Sequence, residues 1–130
     1  MGYRSDVVLA VAFETQEQMN EVLAIYAMDS LVQKHNVMQE WRMDDCHPRM
    51  VYFAEGVKWY PRFEDVRAVQ NIETVAGEFA SKRGFEYGVY YLRYGEDPRD
   101  IEEVYSGSDR ELAHALSDLV TIYHSIEIDI

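Results

Sequence analysis

The spacing of apolar residues changes period several times along this chain, and that succession limits the fold more tightly than any motif. Residues 7–13 (VVLAVAF) are apolar and β-branched at their start, the pattern of a largely buried strand. Thr15 follows, with Gln18 three residues on, a capping-box pattern that predicts a helix from about Gln16. Met19, Val22, Leu23, Tyr26, Met28, Leu31 and Val32 then recur at mostly helical spacing, which predicts one helix through this whole stretch. Residues 37–43 alternate weakly, as an edge strand would, and a turn follows because Pro48 disfavours helix at His47. Residues 50–60 read as a strand with a bulge or tight turn at Gly56, ended by Pro61.

Residues 64–81 return to helical spacing through Val66, Val69, Ile72, Val75, Ala76 and Phe79, and Gly84 stands where a C-terminal cap belongs. Residues 85–94 and 101–105 are the strands of a hairpin whose turn contains Pro98. Ser108 or Asp109 caps a third helix predicted to reach about Tyr123, and the alternating residues 126–130 predict a terminal strand. The order β-α-β(β)-α-β-β-α predicts an α+β fold: a mostly antiparallel sheet covered by two to three helices, a ferredoxin-like variant.

At 130 residues the chain is expected to be a single domain, and 48% hydrophobic content supplies a core. No stretch approaches the roughly 20 apolar residues of a membrane span, and the opening MGYRSD lacks the apolar segment of a signal peptide. The single cysteine, Cys46, has no internal partner for a disulfide, so a reducing cytoplasm is expected. Twenty-four acids against twelve bases leave a net charge of −12. Direct contact with nucleic acid is disfavoured, because it depends on Lys and Arg displacing counterions. A basic protein, including one that itself binds nucleic acid, is the better electrostatic match.

Three stretches, MGYRSDVVLAV, VKWYPRFEDVRAVQNIE and YGVYYLRYGEDPRDIEEV, resemble a family of small acidic proteins encoded by tailed bacteriophages and beginning Met-Gly-Tyr-Arg-Ser-acid. The Arg99-Asp100 stretch departs from the family's usual hairpin pattern. The resemblance implies a phage product acting in the cytoplasm of its bacterial host. Its members have no established activity, so it carries over no catalytic residue.

Candidate sites are few. Asp44, Asp45, Cys46 and His47 are metal-capable, yet alternation along an extended chain lets at most two of them, Asp45 and His47, face one ion. A structural zinc site needs four ligands, so a solvated loop is the expectation. His114 and Asp118 lie four apart on the third helix, with His124 beyond, and ordinary surface chemistry accounts for them. Tyr87, Tyr90, Tyr91, Tyr94 and Tyr105 fall on the hairpin strands. Since Tyr90 and Tyr91 point oppositely, at least one is expected at the surface, where tyrosine suits interfaces. Trp59 and Tyr60 pose the same alternative of packing against exposure.

Glu96, Asp97, Asp100, Glu102 and Glu103 crowd the hairpin against Arg99 alone. A solvated hairpin lacks the burial and convergence that acid–base catalysis requires. The expected function is a phage accessory protein that binds and modulates or inhibits a host bacterial protein. The expected partner surface comprises Tyr90, Tyr94, Glu96, Asp97, Glu102 and Glu103, with no cofactor, metal ligand or catalytic residue assigned. Two alternatives remain at this point: a small metal-dependent enzyme built on Asp45 and His47, and a subunit that self-assembles, as in a homodimer, through residues 126–130.

Overall fold

The computed structural model describes residues 2–44, 46–122 and 126–128. In chain order the elements are β1 (Ser5–Phe13), α1 (Gln16–Ala27), α2 (Ser30–Lys34), a 3-10 turn (Val37–Glu40), β2 (Trp41–Met43), β3 (Arg49–Val57), α3 (Glu64–Arg83), β4 (Tyr87–Gly95), β5 (Ile101–Gly107), α4 (Arg110–Ser117), β6 (Val120–Ile122) and β7 (Ile126–Ile128). Five strands form one sheet in the order β2-β3-β1-β4-β5, every neighbouring pair antiparallel. Strands β1 to β4 with α1 and α3 have the ferredoxin-like order, and β5 extends the sheet by one strand.

Strand β1 sits at the centre and is buried on both faces. Val7, Leu9, Val11 and Phe13 point toward α1 and α3, joining Met19, Val22, Tyr26, Val66, Val69 and Ile72 in the larger core. Val8, Ala10 and Ala12 point the other way, into a second core with Val51, Tyr90, Leu92, Leu116 and Leu119. Helix α4 closes that second core, so the sheet has helices on both faces. Small residues make its approach possible. A Cβ on Gly88 would overlap the backbone of α4, lying 2.7 Å from the Leu112 carbonyl carbon.

Several boundaries differ from the sequence reading for local reasons. The first helix is two helices: α1 ends at Ala27, and the Asp29 carboxylate accepts from the N–H groups of Leu31 and Val32 at 2.9 and 3.2 Å, starting α2. The edge strand shortens to β2 because Asn36, in the left-handed region, leads into the 3-10 turn. Gly84 ends α3 in the left-handed region, and the Phe85 N–H still bonds to the Ala80 carbonyl, so β4 begins at Tyr87. The predicted third helix stops at Ser117 instead of about Tyr123. The chain then pairs β6 with β7, so the terminal alternation has a partner within the chain; residues 123–125, 129 and 130 lie outside the described residues.

The expected bulge is present. The β1–β3 register shifts between Ser5 and Val7, opposite Val57 and Ala54, where Gly56 takes φ +61°. Its N–H donates to the Asp6 carboxylate at 2.8 Å, and its carbonyl accepts from Arg4 Nη1 at 2.8 Å.

Candidate docking cleft and acidic hairpin

The six residues expected to form a partner surface do not share one face. In β4 and β5, Glu102 lies opposite Arg93 on the α3 side, while Glu103 lies opposite Leu92 on the α4 side. Tyr90 is only 2% exposed, with its ring in the α4-side core, so its expected place on an exposed surface is corrected. Tyr91 packs against the other core. The two tyrosines do point oppositely, but a sheet with helices on both faces gives each a layer to pack into. Tyr94 is half-buried against the α4-side core.

Most hairpin acids hold the chain's own groups. Glu96 Oε1 accepts from the Arg4 N–H at 2.9 Å, and Asp97 Oδ1 accepts from the Arg99 N–H at 2.9 Å. Asp100 receives a two-pronged pair from Arg93, Nη1 to Oδ2 at 3.0 Å and Nη2 to Oδ1 at 2.8 Å, and the Tyr3 hydroxyl donates to the same Oδ2 at 2.7 Å. The Arg93 guanidinium, followed by the Tyr3 hydroxyl, holds the Asp100 carboxyl below its usual range. Glu103 Oε2 accepts from the Tyr90 hydroxyl at 2.6 Å.

The N-terminal segment is woven into this end of the sheet. The Tyr3 N–H donates to the Tyr60 hydroxyl at 2.8 Å, while its own hydroxyl accepts from the Asp97 N–H at 3.2 Å. The chain's start, the segment after β3 and the β4–β5 hairpin therefore meet at one place. Two of the hairpin acids, Glu96 and Asp100, hold groups of that N-terminal segment.

Beside this network lies an open cleft of about 490 Å³ between α3 and the outer strands. Residues of β1, β4 and β5 line one side, and Gln70 and Glu73 of α3 with Trp59 and Pro61 line the other. At its margin the Ser106 hydroxyl of β5 donates to Glu73 Oε1 at 3.1 Å. Tyr91 and Trp59 supply its aromatic surface, Val104 an apolar rim, and Glu73 and Glu102 its carboxylates. Arg93 also lines it, but its guanidinium is committed to Asp100, with Glu102 Oε1 3.6 Å from its Nε. Burial pushes the Tyr91 hydroxyl up to about 12, and the Glu102 charge adds to this; the Trp59 indole, directed at the same oxygen, pulls the other way. The Trp59 N–H is buried and completes no hydrogen bond of good geometry.

The other candidates have structural roles. Asp44 accepts from the Cys46 N–H at 2.8 Å and from Arg49 Nε at 2.6 Å, and lies 3.3 Å from His47 Nδ1. These contacts, the Cys46 N–H foremost, lower its carboxyl to about 2. Asp45 is outside the described residues. Among the described residues no three His, Cys, Asp or Glu side chains gather as a metal site would require. His114 stacks on Tyr105, ring centroids 4.0 Å apart, and His124 lies outside the described residues. Among the described residues no helix is long and apolar enough to cross a membrane.

Sequence reasoning missed Tyr91, Arg93, Glu73 and Trp59 as one group, because they come from β4, α3 and the segment after β3. A signal was present in Arg93, a lone charge inside an apolar strand, and in Gln70, Glu73 and Gly77, which flank the apolar stripe of α3 at helical spacing. No protein-family model, curated protein or solved structure matches this chain.

Proposed function

We propose that this chain is a phage accessory protein that binds and modulates a basic protein of its bacterial host in the host cytoplasm, acting by contact and not by catalysis. The observation that supports this most is the gathering of carboxylates with little uncommitted positive charge. Glu73 and Glu102 line the open cleft, Asp97 stands exposed in the β4–β5 turn, Arg93 is engaged by Asp100, and the whole chain carries −12. Such a surface steers a basic partner and repels an acidic one. The resemblance of the three stretches supports the phage setting and the host as the source of the partner.

The test is affinity capture from bacterial lysate at low and moderate salt, with wild type beside Asp97→Lys/Glu102→Lys. Glu96 and Glu103 are left intact, because they hold the Arg4 N–H and the Tyr90 hydroxyl. An unchanged thermal midpoint of the variant shows that loss of the Asp97 contact to the Arg99 N–H has not opened the fold. A basic host protein captured in stoichiometric amount, weakened by salt and lost in the charge-reversed variant, is the expected result. Capture that survives the reversal in full overturns the acidic-surface reading.

A further inference from the structure

Strand β5 ends the sheet: it pairs with β4 on one side and, among the described residues, with nothing on the other. Its outer edge presents a row of backbone donors and acceptors, with Ile101 and Val104 both more than 40% exposed. The same strand borders the cleft, since Glu102 and Val104 line it. In a strand added beside β5, residues opposite Glu102 and Val104 would project their side chains over the cleft, because directly opposed residues share a face.

We propose, building on the reading above, that the β5 edge accepts an extended basic segment of the partner as a sixth strand, with an arginine of that segment entering the cleft. Three features favour this occupant. The cleft is lined by the Tyr91 ring, beside which a guanidinium can pack, and by two carboxylates, Glu102 and Glu73. Glu73 accepts one hydrogen bond from the Ser106 hydroxyl at 3.1 Å and keeps its other oxygen for a donor. Its own cation, Arg93, is already held by Asp100 and does not neutralise both acids. A second copy of this chain is disfavoured, because it would bring a further −12 of net charge to an edge strand that already carries Glu102 and Glu103. The acids thus exclude acidic strands from an open edge while leaving it usable by a basic one.

The test titrates isotope-labelled full-length protein with an acetylated peptide alternating valine and arginine, followed by NMR. The control peptide carries citrulline in place of arginine, keeping shape and losing charge. Expected are amide shifts confined to residues 101–107 and the cleft wall, a shift of the Trp59 indole resonance, and affinity reduced roughly tenfold by citrulline or by Glu73→Gln/Glu102→Gln. Both substitutions keep an acceptor at each position, and an unchanged thermal midpoint shows that the fold is intact. Equal binding of the citrulline peptide, shifts centred on Glu96 and Asp97, or no binding overturns this docking mode. The broader reading then still stands if salt-sensitive capture of a basic protein is lost in Asp97→Lys/Glu102→Lys, and falls separately if it is not.

Discussion

The Tyr90 hydroxyl, beneath α4, donates a 2.6 Å hydrogen bond to Glu103 Oε2 on the neighbouring strand. An exposed acid therefore anchors a buried ring. Tyr90→Phe keeps the packing and removes only this bond, while Glu103 remains free to take up water. The expected loss is about 1 kcal/mol, the usual net value of one hydrogen bond. Tyr90→Ala also empties part of the core and is expected to cost about 3–5 kcal/mol. Urea unfolding of the two variants separates these contributions; equal losses would show that the hydrogen bond, not the ring, holds the strand pair.

Alkaline pH acts on the same chemistry more broadly. Burial raises the hydroxyls of Tyr26, Tyr52, Tyr87, Tyr90 and Tyr91 above 10.0, to about 12 for Tyr52 and Tyr91. A folded value above the unfolded one gives stability that is whole below pH about 10 and is lost as pH rises through the folded values. The chain is expected to unfold in that upper range, with tyrosinate absorbance appearing together with the loss of far-ultraviolet signal. Full ionisation of all ten tyrosines in a chain still folded would contradict this.

Gly88→Ala is expected to displace α4. The added Cβ meets helix backbone, which cannot swing aside as a flexible side chain can. The expected cost is about 3 kcal/mol, the upper end for overpacking. Hydrogen exchange would then speed up across α4 while α3 keeps its protection, since α3 packs on the opposite face. Uniform loss of protection would show that the two cores do not open separately.

At low pH, Asp44 contributes in the opposite sense. Its folded value of about 2 lies below the ordinary 3.8. Its contribution is therefore present above about pH 4 and lost as pH falls toward about 2. Glu64, lowered chiefly by its hydrogen bond from Lys34, and Asp100 act in the same direction. Asp44→Asn is expected to be less stable at neutral pH and to flatten this part of the acid limb. Thermal midpoints measured down the acid range check it, and parallel curves for variant and wild type would sink the assignment.

The elements with strong local signals were legible in the sequence: the Thr15 capping box, the Gly84 cap, the Gly56 bulge and the order of strands and helices that yields the sheet. The break at Asp29 was hidden because Met28, Leu31 and Val32 continue the apolar spacing across it; only the Asp-Ser pair marks a fresh cap. The burial of Tyr90 was hidden for another reason. It depends on α4 folding back over the second face, which Ala10, Ala12 and Gly88 permit by being small. The cleft left only faint marks, Arg93 within an apolar strand and Gln70 and Glu73 beside the apolar stripe of α3, since its residues come from separate elements that meet only in the folded chain.

The central position of β1 also sets the order of events while the chain is being made. Residues 5–13 leave the ribosome before either strand that flanks them, one from residues 49–57 and the other from residues 87–95. Helix α1 can cover one face of VVLAVAF early, but neither edge can be satisfied by neighbours in sequence, so strand pairing waits on long-range closure and is slow. A chain interrupted before residue 95 leaves one edge of its most apolar strand bare, the condition under which nascent chains stick to one another.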